Sequence, residues 1–158
     1  MILNSIRVAN WKCLSDARVG PLSPGITVIH GPNKTGKSTM VEAVKLSLFD
    51  IDYQSKKAEK YRPWKCAPEG PPKAEIEFTA GGKRYLMEKS FSKKAALGFA
   101  KLHEVAEDGS RKAIAEGKEV TQATRAVLGV KDYKTGLPNL LWVEQGSARM
   151  PAVGGELG

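Results

Sequence analysis

Apolar and polar residues alternate along the first part of the chain, which predicts β-strands over residues 2–9 and 17–22. A turn at 23–25, with proline and glycine, ends the second strand. The short apolar run 26–29 predicts a third strand. Apolar residues then recur at helical spacing, which predicts a helix from residue 37 to 48 or 49. The apolar helical positions are Met40, Val41, Val44 and Leu48.

The middle of the chain predicts an antiparallel sheet. Residues 74–78 alternate, Gly81-Gly82 supplies a turn, and residues 84–88 return as the second strand of a hairpin. A third strand is predicted over 98–105. We therefore predict an antiparallel sheet over residues 74–115, inserted after the helix that begins at residue 37.

The last part of the chain predicts one helix and one strand. The apolar residues of 119–128 share one helical face, and Gly129 follows as a typical C-terminal cap. The apolar run 140–143 predicts a buried strand. All of these elements fit one domain, 1–158. We divide it into residues 1–50, a basic proline-rich connection 51–73, an inserted antiparallel sheet 74–115, and residues 116–158.

Between the predicted strand and helix, residues 31–39 fit the pattern G-x-x-x-x-G-K-[ST] of a phosphate-binding loop. The glycines allow the backbone to wrap a phosphate chain, so that N–H groups and the helix dipole face the anion. Lys37 would reach the β- and γ-phosphates of ATP, and the Ser38 hydroxyl would ligate Mg²⁺. A strand-to-helix turn that binds nothing is the alternative, but it has no need of Lys and Ser after the second glycine. The predicted nucleotide-binding residues are Asn33, Lys34, Thr35, Gly36, Lys37, Ser38 and Thr39.

Composition describes an ordinary globular chain with 41% hydrophobic and 27% charged residues. The longest apolar stretch, 140–143, is too short to cross a bilayer, and the first residues lack the pattern of a secretion signal. Cys13 and Cys66 are isolated in sequence, so we expect reduced thiols rather than a zinc site or a disulfide. A cytoplasmic protein without a membrane partner is therefore expected.

The net charge of +8 arises from 25 Lys and Arg against 17 Asp and Glu, and the excess lies mainly in the middle of the chain. The cations of the proline-rich connection are Lys56, Lys57, Lys60, Arg62 and Lys65, and Lys93 and Lys94 form a second cluster. Tyr53, Tyr61 and Trp64 lie among the first group, a mixture that can stack on bases while it neutralises phosphates. We predict contact with the DNA backbone. The alternative is a surface loop that its aromatic side chains pin to the body.

Four segments together resemble the N-terminal half of the ATPase head of the SMC-like group, which includes SbcC-type repair ATPases, RecF and RecN. Residues 10–16 resemble the early aromatic-basic segment of that group, and residues 31–39 resemble its Walker A loop. Residues 40–44 resemble the helix behind the loop, and residues 142–146, Trp-Val-Glu-Gln-Gly, resemble its Q-loop. The specificity lies in the combination, since a Walker A loop alone is common to many folds and each of the other three segments is a weak signal by itself.

The resemblance implies an α/β P-loop fold of the ABC type, in which an antiparallel subsheet lies beside the core sheet and the P-loop helix. It places Lys12 near the nucleotide phosphates, Ser38 and Gln145 at Mg²⁺, and Lys37 and Gln145 among the catalytic residues. A carboxamide such as that of Gln145 can hold a metal or its water without adding negative charge beside a triphosphate. The alternative for Gln145 is a surface glutamine before a glycine turn.

This sequence departs from the family pattern because no convincing signature motif, Walker B Asp-Glu pair or switch histidine is present. In the family these motifs lie beyond a long coiled coil. The resemblance therefore implies that the coiled coil and the C-terminal lobe are absent, as in a truncated chain or a naturally split half-head. Hydrolysis of ATP would then need a C-terminal lobe and head-to-head dimerisation, and the isolated chain would be inactive or weakly active.

The implied function is that of an ATPase in DNA double-strand-break repair or chromosome maintenance, with DNA and a nuclease as partners. One rival is a small P-loop kinase, which would need an arginine-rich lid and an acceptor-site acid; the two strands before the loop count against it. The other rival is a non-catalytic DNA-binding module that uses ATP only as a structural ligand.

Overall fold

A computed structural model describes residues 1–50, 52–55, 60–61, 70–94 and 96–130, apart from the side chain of residue 50. It contains six strands, two α-helices and one π-helix within these ranges. The strands are β1 (Ile2–Trp11), β2 (Leu14–Val19), β3 (Lys73–Ala80), β4 (Lys83–Ser90), β5 (Phe99–Val105) and β6 (Arg111–Glu116). The helices are α1 (Lys37–Lys45), the π-helix Leu46–Asp50 and α2 (Glu119–Val127).

All six strands form one antiparallel sheet in the order β2-β1-β3-β4-β5-β6. The hairpin of β3 and β4 turns at Gly81-Gly82, where both residues have positive φ, as the sequence predicted. Strand β1 pairs with β2 on one side and with β3 on the other, so Ile6 lies opposite Val19 and Ile76. The predicted α/β class, with an antiparallel sheet beside the helix that follows the phosphate loop, is confirmed.

Both helices pack against one face of the sheet, because alternate strand residues supply a continuous apolar surface there. The centre of this core holds Val8, Ile76, Phe78, Met87 and Leu102, all fully buried. Trp11 closes one end of the core. Its ring stacks on Tyr61 at a centroid distance of 5.4 Å and meets Phe91 edge-to-face at 5.2 Å. The hydrophobic face thus fixes α1, and with it the phosphate loop, against β1 and β3.

The opposite face of the sheet carries paired charges. Arg7 on β1 contacts Asp16 at 2.9 Å and Glu75 at 3.4 Å, and Arg84 contacts Glu77 at 2.5 Å. The side-chain hydrogen bond from Arg7 holds the pKa of Asp16 below its usual value. The charges of Arg7 and Arg84 on this face are therefore balanced locally by acidic neighbours.

The predicted strand over residues 26–29 is wrong. These residues belong to no strand in the described part of the chain, and the side chains of Ile26 and Val28 are 97% and 75% exposed. A β-strand needs a hydrogen-bonding neighbour, and the sheet ends at β2. The second strand is also shifted, since it ends at Val19 before a cis Gly20-Pro21 peptide bond.

The helix predicted over 119–128 is confirmed as α2, and its end is a Schellman motif. The Gly129 N–H donates to the Ala126 carbonyl at 3.0 Å, and the Val130 N–H donates to the Arg125 carbonyl at 2.9 Å. Gly129 has a φ of +67°, the conformation that favours glycine at this position. The predicted strand over 140–143 lies outside the described residues.

Candidate nucleotide-binding site

The phosphate loop, residues 31–36, leads directly into α1. Gly36 is the N-cap residue of α1, with a φ of +93°, and it lies against the turn between β1 and β2. A Cβ atom on Gly36 would lie 2.4 Å from Leu14 Cδ2 and 3.2 Å from Cys13 Sγ. Positive φ and this close approach together require glycine at position 36.

The first turn of α1 presents backbone donors at the end of this loop. The Met40 N–H donates to the Gly36 carbonyl at 2.9 Å, which is the first bond of the helix. The N–H groups of residues 37–39 precede it and have no acceptor within the helix, and no side chain caps them. Ser38 is exposed and Thr39 is half-buried beside these donors. The positive end of the helix dipole and the free donors suit an anion.

Lys37 folds back across the loop. Its Nζ atom donates to the carbonyl oxygens of Gly31 at 2.8 Å and Pro32 at 2.6 Å. The Thr35 hydroxyl donates to the same Pro32 carbonyl at 2.9 Å. The loop is therefore closed by its own side chains, with the Lys37 ammonium group held at the carbonyls of Gly31 and Pro32.

Lys12 reaches the same helix from the turn between β1 and β2. Its Nζ atom pairs with the Glu42 carboxylate, and its backbone N–H donates to the Tyr61 carbonyl at 2.7 Å. Glu42 lies one helical turn after Ser38, so this ion pair is on the side of α1 that begins at the phosphate loop. Sequence reasoning missed Glu42, although its spacing of four residues from Ser38 is a usable signal.

The other predicted loop residues, Asn33, Lys34 and Thr35, are exposed. Lys34 adopts a φ of +66°, so the backbone turns sharply at the top of the loop. Gln145 lies outside the described residues, and its approach to Ser38 stays a prediction. The structure thus places the Lys12 side chain at Glu42, one helical turn beyond Ser38, and its neighbours Cys13 and Leu14 against Gly36.

Of the proline-rich connection 51–73, the structure describes residues 52–55, 60–61 and 70–73. Lys56, Lys57, Arg62 and Lys65 lie outside the described residues. Tyr61 is only 4% exposed and stacks on Trp11, so the prediction that it stacks on bases is wrong. Its ring is needed to fill the core beside Trp11, and the Lys60 Nζ atom lies 4.8 Å from the ring centroid. Tyr61 instead pins the connection to the body of the protein, which is the alternative that the sequence offered.

Lys93 and Lys94 of the second cluster are exposed just after β4. Within the described ranges, no helix is long and apolar enough to cross a membrane.

Two curated relatives are DNA double-strand break repair Rad50 ATPases. The protein of Halobacterium salinarum is 43% identical over 49 residues, which are 31% of this chain and 5% of that protein. The protein of Thermoplasma acidophilum is 29% identical over 95 residues, which are 60% of this chain and 10% of that protein. The chain thus spans only a small part of the length of these relatives.

Among solved structures, the SMC head domain from Thermotoga maritima is similar to this chain with a TM-score of 0.41 and 24% sequence identity. The similarity covers 71% of this chain and 39% of that one.

A family model described as an AAA domain matches residues 5–149, which include every predicted nucleotide-binding residue and Gln145. Together with the Rad50 relatives, this match confirms the predicted resemblance to an SMC-like ATPase head. Because the match covers nearly the whole chain, the chain belongs to the AAA_23 family of AAA domains.

Proposed function

We propose that this chain binds ATP with Mg²⁺ at the phosphate loop and serves as the nucleotide-binding half of an SMC-like ATPase head. The observation that carries this proposal is the loop itself: Gly36 in the left-handed conformation, uncapped N–H donors on α1, and Lys37 folded back onto the carbonyls of Gly31 and Pro32. A helix N-terminus with these donors is suited to a phosphate chain.

In this proposal, Lys37 leaves the carbonyls of Gly31 and Pro32 to bind the β- and γ-phosphates. The exchange is favourable because a charged phosphate oxygen is a stronger acceptor for an ammonium group than a neutral carbonyl. The Ser38 hydroxyl and the Gln145 carboxamide hold Mg²⁺ or its waters, and Lys12 adds a second cation. Residues 33–36 and Thr39 complete the backbone cradle.

Hydrolysis in this proposal depends on a C-terminal lobe and on head-to-head dimerisation, because an acid must orient the attacking water and a facing subunit must contact the γ-phosphate. The exposed apolar side chains of Ile26 and Val28, just before the loop, support a partner lobe that pairs with residues 26–29 and covers them. The isolated chain is then expected to bind ATP and to turn it over slowly.

The biological setting in this proposal is DNA double-strand-break repair or chromosome maintenance in the cytoplasm, with DNA and a nuclease as partners. This setting is supported by the two relatives, which are named as DNA double-strand break repair Rad50 ATPases. Backbone contact with DNA through the proline-rich connection and its cations Lys56, Lys57, Lys60, Arg62 and Lys65 belongs to the same proposal.

Titration calorimetry with Mg-ATP tests the binding site, using Lys37→Ala and, as a matched control on the same helix, Lys45→Ala. Lys45 lies in the last turn of α1, away from the loop. Loss of one charge-assisted contact should lower the ATP affinity of Lys37→Ala about tenfold or more. The Lys45→Ala variant should bind like the parent chain. Equal affinity of folded Lys37→Ala and the parent would contradict the assignment of the loop.

A further inference from the structure

The phosphate-loop helix does not end at a cap but passes directly into the π-helix Leu46–Asp50, which we call the π-turn. The residues of the π-turn from Leu46 to Phe49 are buried, and Ser47 and Leu48 are completely so. Hydrogen bonds in such a turn join residues i and i+5. Single π-turns are rare and occur frequently at functional sites.

Two cationic side chains donate to carbonyl oxygens of the π-turn. Lys89 on β4 donates from Nζ to the Ser47 carbonyl at 2.7 Å, and Arg125 on α2 donates from Nη2 to the Phe49 carbonyl at 2.5 Å. Lys89 also donates to the Thr121 hydroxyl of α2 at 3.0 Å. One lysine and one arginine therefore join β4, α2 and the far end of the phosphate-loop helix.

This arrangement costs free energy of folding. Lys89 is only 1% exposed, and its burial, together with the charge of Arg125, lowers its pKa to about 7 despite the opposing charge of Asp52. Within the described part of the chain, the hydroxyl oxygens of Ser47 and Thr124 are buried without a hydrogen-bond partner. Apolar side chains of similar size commonly stabilise such a site at least as well as buried charges do. Stability alone therefore does not account for Lys89.

The π-turn is rigidly connected to the phosphate loop. Helix α1 has nine residues, begins at Lys37 and ends at the π-turn, which is a distance of about 14 Å at 1.5 Å per residue. A short helix moves as one body, so a shift of the π-turn along the axis displaces the N–H donors of the first turn. Contacts that hold the π-turn therefore help to set the position of these donors, together with the packing of α1 on β1 and β3.

We propose that Lys89 and Arg125 are positioning residues that hold the π-turn and thereby couple the phosphate loop to α2. This inference rests on the proposed binding of ATP at the loop. Thr121 and Arg125 lie four residues apart and so share one face of α2, which places both contacts on the same side of that helix. When phosphate groups draw the first turn of α1 toward them, the π-turn transmits the shift to α2 through these contacts.

Amide hydrogen exchange of the 158-residue chain, with and without Mg-ATP, tests the coupling. In the parent chain, ATP should slow exchange in the loop and first helical turn, residues 31–40, and also in α2. No slowing in residues 31–40 would contradict ATP binding itself. Slowing there without any change in α2 would overturn the coupling and leave the proposed function standing.

The variant Lys89→Met removes the cation and keeps a similar volume. We expect it to lose the response of α2 to ATP and to bind ATP about tenfold more weakly, while residues 31–40 still respond at saturating ATP. Lys83→Met is the matched control, because Lys83 is an exposed lysine on the same strand, paired with Glu104. It should keep both the α2 response and the parent affinity.

A purely structural role of Lys89 would lower the melting temperature of Lys89→Met but leave its ATP affinity and its α2 response unchanged, and that result would overturn the proposal.

Thr121→Val decides the question if Lys89→Met does not fold. It removes the α2 acceptor of Lys89 and leaves the Ser47 contact in place. The α2 response should then fall by at least half, and a full response in Thr121→Val would refute the coupling. Arg125→Lys retains a cation and should therefore keep more of the α2 response to ATP than Arg125→Met.

Discussion

Lys12 and Glu42 form an ion pair that joins the turn between β1 and β2 to the middle of the phosphate-loop helix. Lys12 has a φ of +51°, and its Nζ atom also lies 5.1 Å from the centroid of the Tyr61 ring. The carboxylate and the ring therefore hold the lysine side chain along α1. A cation held in this way is available to a bound phosphate at little cost in side-chain entropy.

We predict that Lys12→Met weakens ATP binding about tenfold, because it removes a charge beside the phosphates. Glu42→Gln should bind ATP at least as tightly as the parent, because it removes a negative charge and leaves Lys12 in place. Calorimetric titration of both variants with Mg-ATP measures the difference. An equal loss of affinity in both would show that Lys12 acts only through its pair with Glu42.

Gly36→Ala should destabilise the chain more than Gly81→Ala. Both glycines have positive φ, but the added Cβ at Gly36 meets Leu14 at 2.4 Å, whereas the space around Gly81 is open. We expect a loss of about 1 kcal/mol in the free energy of unfolding for Gly81→Ala and about 1–2 kcal/mol more for Gly36→Ala. Urea denaturation measures both values, and losses of the same size would show that the loop does not press on the β1–β2 turn.

The buried Lys89 should make stability depend on pH. Its pKa falls from the ordinary value of 10.5 to about 7 in the folded chain, chiefly through burial, so the unfolded chain binds more protons between these two values. The free energy of unfolding should therefore rise with pH from 7 toward 10.5, by at most about 1.4 kcal/mol per pH unit. Below pH 7 the full cost of the buried charge is present. The difference between the parent and Lys89→Met isolates this contribution, and a difference independent of pH would contradict it.

Replacement of Lys56, Lys57 and Lys60 by glutamine should weaken binding of duplex DNA and leave ATP affinity unchanged. Each contact between a lysine and a DNA phosphate releases counterions. Each contact that is lost should therefore reduce the slope of log affinity against log salt concentration by about 0.9 in magnitude. Fluorescence anisotropy at several salt concentrations gives the slope, with Lys93→Gln/Lys94→Gln as a variant of the second cluster. If the triple variant retains the affinity and slope of the parent, the DNA surface lies elsewhere.

The sequence predicted the fold well where a structure depends on residues that are close together in the chain. The hairpin at Gly81-Gly82 and the helix cap at Gly129 are of this kind, because each depends on residues within a few positions. Residues 26–29 could not be judged in the same way, since an apolar run becomes a strand only beside another strand.

The phosphate loop was predicted from its spacing, but the contacts that hold its helix were not. Glu42 and Lys12 are 30 positions apart, and Lys89 and Ser47 are 42 positions apart, so no local pattern pairs them. One signal was present, because Tyr85, Met87 and Lys89 share a face of β4 and a lysine there must lie in the core. No composition rule predicts the π-turn.

The exposed side chains of Ile26 and Val28 favour self-association of the purified chain. Exposed apolar side chains at alternate positions of this segment can pack against the same segment of another copy. Self-association is therefore expected to increase with protein concentration and to occupy the surface beside the phosphate loop. Dilute samples, or a chain carrying Val28→Thr, should give the more faithful measure of nucleotide affinity.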